Sequence, residues 1–195
     1  MIPVRALTSK APGRANVVTS DVEISTPTAD TVHPKATQKV TAIWDTGATG
    51  TVITAALAGA LGILPSGMVK KNTANGEMDS NVYLVDVLLP LGVGFPNMTV
   101  TEGTVAGADV LIGMDIICQG DFSITNFGDK TTASYRIPSI AEVDYVKEAP
   151  DGFLPQTNPE RVRLKRTGHL FPLASPRHQQ SLVMPGPSSG IPPHH

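Results

Sequence analysis

The chain has 195 residues, enough for one domain with flanking segments, and its 41% hydrophobic content supplies an ordinary core. A net charge of −2 and a pI near 6.2 leave no overall attraction to nucleic acid, so no nucleic-acid partner is expected. Only 16% of the residues are charged, while Gly (18) and Pro (17) are frequent, which disfavours long helices and makes all-β the expected class. The single cysteine, Cys118, excludes an intramolecular disulfide, and with all histidines but His33 far down the chain it reads as a buried small hydrophobe. Residues Met1 to Lys10 contain no apolar signal-peptide core, which makes a cytoplasmic location the expectation.

In chain order, residues 1–15 read as a disordered N-terminal segment, and Asn16 to Ile24 alternates as a strand does. A Pro-containing loop, Ser25 to Lys35, leads into a strand over Ala36 to Trp44, whose last residue is expected to pack in the core. The longest apolar stretch, Val52 to Leu64, is too short to span a membrane, and no membrane partner is expected. Within it Thr54 to Leu61 reads as a short helix with Ile53, Leu57 and Leu61 on one face. Met68 to Pro90 pairs two extended arms around Ala74-Asn75-Gly76-Glu77, a polar, glycine-containing tip. Strands are expected over Met98 to Val105 and Asp109 to Ile112, then a short helix over Met114 to Cys118. A closing hairpin follows, built from Phe122 to Asn126 and Thr131 to Ile137. The domain is thus expected over residues 16–147. Residues 148–195 are interrupted throughout by proline and read as a disordered tail, its run Arg161 to Arg166 a solvated basic stretch. The final His194-His195 pair carries no assigned role.

The chemistry concentrates in Asp45-Thr46-Gly47-Ala48, which follows the apolar run Val40 to Trp44 and is answered downstream by Leu111-Ile112-Gly113. At the end of a strand, Asp45 offers an acid/base group, Thr46 a hydroxyl, and Gly47 a backbone free to turn sharply. Peptide hydrolysis without a metal or a nucleophilic side chain needs two carboxylates sharing one proton. The chain holds one Asp-Thr-Gly, so a complete site requires a second copy related by a two-fold axis, and a homodimer is expected. No metal and no cofactor are required. Asp115, at the start of the short helix, is a candidate second carboxylate, although that position suits a helix-capping or dipole role better.

On Ala42-Ile43-Trp44-Asp45-Thr46-Gly47-Ala48-Thr49 and Val110-Leu111-Ile112-Gly113-Met114-Asp115, with the hairpin-like stretch between them, the chain resembles the retropepsin-like aspartic proteases. It looks most like bacterial single-lobe members that place Asp after the Gly-X pair, as Asp115 does here, and it lacks the cysteine-rich metal-binding tail common among them. The resemblance implies a closed β barrel with one or two short helices, homodimeric, that cuts extended polypeptides. It makes Asp45 the catalytic carboxylate and has Thr46 bond across the dimer beneath the two aspartates. Gly47 and Ala48 become active-site loop, with Leu111, Ile112 and Gly113 packed behind it. The tip Ala74, Asn75, Gly76 and Glu77 becomes a flap that closes over substrate.

Thr46-Gly47-Ala48-Thr49-Gly50 also resembles the phosphate turn of short-chain dehydrogenases, where a third glycine lets a helix N-terminus approach the pyrophosphate. Here that place is Ile53, no Tyr-x-x-x-Lys motif occurs, and alternating strands and helices are missing. A nucleotide site is therefore disfavoured. The alternative from another class is a non-catalytic dimeric peptide-binding module on the same fold, which an intact Asp-Thr-Gly alone does not exclude.

Overall fold

The structure is a computed structural model that describes residues 3–73, 76–90 and 92–148. Alternating side chains build its core. In β2 (Val18–Ser25) Val22 and Ile24 turn inward, in β3 (Thr37–Trp44) Ala42 and Trp44, and in β8 (Val110–Ile112) Val110 and Ile112. Three further strands, β4 (Val52–Ile53), β6 (Gly76–Leu88) and β7 (Gly94–Glu102), complete the ring. Hydrogen-bonded neighbours run β2-β3-β8-β4-β7-β6, and β6 returns to β2 through Glu23↔Leu88, Ile24↔Val87 and Ser25↔Asp86. Six strands therefore close a barrel, and β5 (Gly67–Thr73) joins it as the antiparallel partner of β6.

Helix α1 (Ala55–Leu61) begins at Thr54, whose hydroxyl accepts from the Leu57 amide at 3.2 Å, and ends at Gly62 with φ 66°. Its buried residues are Leu57, Ala58 and Leu61. Ile53, expected on the same face, instead ends β4, because the apolar run starts as a strand paired with β7 and β8. Strand β7 also sits earlier than the expected Met98 to Val105. Its register is set by the antiparallel ladder with β6, from Val82↔Thr101 to Leu88↔Gly94. Helix α2 (Met114–Ile117) is a single turn that buries Ile116 and Ile117. Cys118 caps that turn and is exposed, which corrects the expectation that it is buried: Ile116 and Ile117 already occupy the one buried side of so short a helix.

A second sheet of three strands carries the order β1-β10-β9. The closing hairpin, β9 (Asp121–Thr125) and β10 (Thr132–Ile137), is joined by a 3-10 turn at Phe127–Asp129. The third strand, β1 (Arg5–Lys10), corrects the reading of residues 1–15 as disordered. It pairs with β10 from Arg5↔Ile137 to Lys10↔Thr132. The segment beyond it is also tied down, since Thr131 donates its amide to the Gly13 carbonyl and its hydroxyl oxygen accepts from the Ala15 amide. Of the β1 side chains only Leu7 packs against the core, so the order of this strand comes from a backbone ladder with a partner more than a hundred residues away.

Trp44 joins the two sheets. Its ring stacks on Phe122 at 5.4 Å and 6°, tilts against Tyr135 at 5.0 Å, and donates its Nε1–H to Ser20 Oγ at 2.9 Å. Such aromatic pairs add about 0.5–1.5 kcal/mol each beyond the area they bury. Tyr135, 1% exposed, donates its hydroxyl to the Ile116 carbonyl at 2.9 Å, and burial first, then nearby Cys118 and Asp121, pushes its pKa up to about 12. The core residue before Asp45 is thereby fixed from both sides. Among the described residues no helix is long and apolar enough to cross a membrane.

The compact unit that carries the barrel ends at Val143. Beyond it, Asp144 Oδ1 accepts from the Val146 and Lys147 amides in a local turn. The expected tail lies, past Glu148, outside the described residues.

Loop 26–36 is held to the barrel by the Asp86 carboxylate and by the Ala29 amide, which donates to Asn97 Oδ1 at 2.7 Å. Asp86, its side chain 14% exposed, accepts from the Thr28 amide (3.0 Å) and hydroxyl, the Asn97 amide (2.8 Å) and Lys35 Nζ (3.2 Å). Burial acts to raise its pKa, but the bonds from Thr28, Asn97 and Lys35 outweigh it and hold the carboxyl below its ordinary value. A depressed folded-state pKa contributes stability that is complete above the unfolded value near 4 and is lost as pH falls through the folded one. Asp86→Ala should therefore cost about 1–3 kcal/mol at neutral pH. In urea unfolding, the gap between wild type and variant should shrink between about pH 5 and pH 2. A gap of constant size across that range would contradict the role given to the ionised carboxylate.

Candidate active site

Strand β3 delivers Asp45 to the mouth of the barrel because its parallel ladder with β8 runs one step past the last strand residue. After Ala42↔Val110 and Trp44↔Ile112, the Asp45 amide donates to the Ile112 carbonyl at 3.0 Å. The chain then turns at once, with the Ala48 amide donating to the Asp45 carbonyl at 3.3 Å. Inside this turn Asp45 Oδ1 accepts the Gly47 amide at 2.8 Å, which fixes the plane of the carboxylate. Among the described residues that is its one side-chain hydrogen bond, and Oδ2 accepts none. Gly47 suits the position sterically, since a side-chain carbon there would meet Asp45 Oδ1 at 3.1 Å.

Ile112 and Gly113 touch this loop, at the Asp45 amide and at Gly50, while Leu111 pairs with Ile43 and Val52 on either side of it. Ala48, half-buried, accepts the Met114 amide at 2.9 Å through its carbonyl. Gly113 lies so close to Gly50 that a side-chain carbon would fall 2.5 Å from the Gly50 carbonyl carbon, closer than such atoms approach. Thr46 is exposed and makes no side-chain bond among the described residues. Of the tip residues, Ala74 and Asn75 lie outside the described residues, while Gly76 and Glu77 open β6 and pair with Thr73 and Asn72.

Asp115 does not cap α2; that place is taken by Gly113. Both of its carboxylate oxygens are engaged with Thr51, Oδ2 accepting the amide and Oδ1 the hydroxyl, each at 2.8 Å, and Oδ1 also accepts the Ile116 amide at 2.9 Å. That occupancy removes it as a second acid beside Asp45 within the same chain. Thr51, 1% exposed, escaped the sequence reading; its signal is a hydroxyl residue closing a glycine-rich loop, with a free carboxylate following the downstream Gly-X pair. Clefts of about 690 Å3 beside Glu23, Lys39 and Asp109 and about 500 Å3 beside His33, Leu61 and Leu84 do not include Asp45. Among the described residues no three His, Cys, Asp or Glu side chains are grouped to hold a metal ion.

The Gly50–Gly113 contact makes a paired prediction. Gly113→Ala should destabilise by about 1–3 kcal/mol or more, because the clash is with backbone and has no side chain to give way. Gly59→Ala, in α1 with nothing within 4 Å of the added carbon, should instead stabilise by about 0.5–1 kcal/mol. Thermal unfolding of the two variants checks the contrast, and equal effects would show that the contact is not close.

Residues 35–119 match the family model described as "gag-polyprotein putative aspartyl protease". Among solved structures the chain is similar to a retropepsin-like aspartic protease from Rickettsia conorii, at 15% sequence identity and a TM-score of 0.42, covering 70% of this chain and 97% of that one. No curated protein matches it. The family match runs from just before β3, through the Asp45 turn, to the end of the α2 turn that packs behind it, so over residues 35–119 the chain is similar to the aspartyl proteases of that model.

Proposed function

We propose that two copies of this chain form one active site from their Asp45 turns and hydrolyse peptide bonds in extended polypeptides. The observation that carries this reading is the state of the Asp45 carboxylate, oriented by the Gly47 amide through Oδ1 and otherwise unengaged among the described residues. The one nearby carboxylate with a plausible claim to be its partner, Asp115, is consumed by Thr51. A second acid then has to come from another copy, and the exposed Thr46 hydroxyls are available to bond across the two-fold axis.

In the dimer, two carboxylates this close cannot both ionise cheaply, so they titrate as a coupled pair with one proton between them. The ionised member takes a proton from water as its oxygen attacks the peptide carbonyl carbon, and the protonated member donates to the carbonyl oxygen. The tetrahedral adduct collapses by breaking the C–N bond, with a proton passed to the leaving nitrogen. No covalent acyl-enzyme forms. The hairpin of β5 and β6 would cover the site and offer main-chain groups to an extended substrate.

Mass spectrometry of a peptide library incubated with the protein tests this reading. Cleavage should follow a bell-shaped pH profile, and Asp45→Asn should fold as wild type does while losing turnover by about three orders of magnitude or more. If both proteins bound extended peptides equally and neither cut them, a peptide-binding module would replace the protease. Specific activity should also fall on dilution as dimers dissociate, and an active monomer in analytical ultracentrifugation would contradict the shared site.

A further inference from the structure

Given Asp45 as the reacting carboxylate proposed above, we infer that Asp115 is the positioning residue of its loop, acting through Thr51 as a hydrogen-bond acceptor and not as an acid. The loop from Asp45 to Thr51 is tied to the Ile112–Asp115 segment at both ends and in the middle. Its entry is held by the Asp45 amide on the Ile112 carbonyl (3.0 Å), its middle by the Met114 amide on the Ala48 carbonyl (2.9 Å). Its exit is held by Asp115 through the Thr51 amide and hydroxyl at 2.8 Å each, by the Gly113 amide on the Thr51 hydroxyl oxygen at 3.3 Å, and by the pairing of Val52 with Leu111 that follows. Thr51 further passes its carbonyl to the Thr101 amide at 3.2 Å, which seats the loop exit on β7.

The consequence reaches Asp45 through Gly47. The Gly47 amide orients the carboxylate at 2.8 Å, and Gly47 itself lies on the exposed stretch of the loop between the Asp45 entry and the Ala48 anchor. Releasing Thr51 loosens the Thr49–Gly50 exit and leaves the Gly47 amide, and with it the carboxylate plane, held on that side through Ala48 alone, so that it can swing. A misplacement of about 1 Å at a reacting group costs on the order of 100-fold in rate. The role needs acceptor geometry and no charge. In Asp115→Asn the side-chain oxygen can still accept the Thr51 amide, and the new NH2 can donate to the Thr51 hydroxyl oxygen. The Ile116 amide, which loses its second acceptor, keeps the Gly113 carbonyl at 3.2 Å.

Three variants, Asp115→Ala, Asp115→Asn and Thr51→Val, separate this role from acid catalysis and from stability alone. On an internally quenched peptide taken from library hits, Asp115→Ala should lower kcat by about 10- to 100-fold with KM little changed, and Asp115→Asn should remain within about threefold of wild type. Thr51→Val removes the hydroxyl bond but keeps the Thr51 amide on Asp115 Oδ2, so it should show the same effects at smaller size, and the double variant should be no worse than Asp115→Ala alone. By NMR, hydrogen exchange at the Gly47 amide should accelerate by about 10-fold or more in Asp115→Ala and return to the wild-type rate in Asp115→Asn. Should Asp115→Ala not fold, Thr51→Val, which keeps the buried volume, carries the same comparison. Loss of activity in Asp115→Asn equal to that in Asp115→Ala would overturn the inference in favour of a charged or acid role. So would unchanged Gly47 exchange in both Asp115→Ala and Thr51→Val. If the wild type cuts no peptide, the protease reading falls, and the Gly47 exchange rates still decide whether Asp115 positions the loop.

Discussion

The contact between the Gly50 and Gly113 backbones sets how near the Asp45 loop can come to the end of β8. With no side chain at either residue, the loop settles onto the segment behind it, close enough for the Ala48 carbonyl to reach the Met114 amide and for Thr51 to reach Asp115. Everything chemical at Asp45 is downstream of that approach. The carboxylate sits on a turn without a side-chain scaffold of its own, so its orientation is borrowed from backbone groups held in place across the Gly–Gly contact.

Below that layer the aromatic cluster supplies stiffness. Trp44 immediately precedes Asp45 and is gripped by Phe122 and Tyr135 from the three-strand sheet and by Ser20 from β2. Tyr135 also ties that sheet to α2 through the Ile116 carbonyl. The end of β3 and the α2 turn are therefore braced by the same few rings. The loop is thus built directly on this aromatic cluster, while its own outer half, Thr46 and Gly47, is left exposed.

Much of this could be read from local pattern. The alternation of Val40, Ala42 and Trp44 announces β3, the Asp-Thr-Gly turn follows it, and Leu111-Ile112-Gly113 has the apolar-apolar-small form that packing behind a loop requires. Helix α1 was legible from the spacing of Leu57 and Leu61. What escaped depends on partners distant in the chain. Strand β1 has one inward side chain, Leu7, and owes its order to β10; Cys118 is exposed because a one-turn helix has one buried side. Thr51 and Asp115 are 64 residues apart, and the hydroxyl closing the glycine-rich loop and the carboxylate after Gly113-Met114 become a pair only once the fold brings them together. The domain limit at the N-terminus moved for the same reason.

The most direct measurement of the shared site mixes wild-type protein with Asp45→Asn protein at constant total concentration, with time for subunits to exchange, and follows peptide cleavage. If each site needs both Asp45 carboxylates, only wild-type pairs are active, and activity should fall with the square of the wild-type fraction. A linear fall would mean that each chain works alone, and the two-copy site would be wrong.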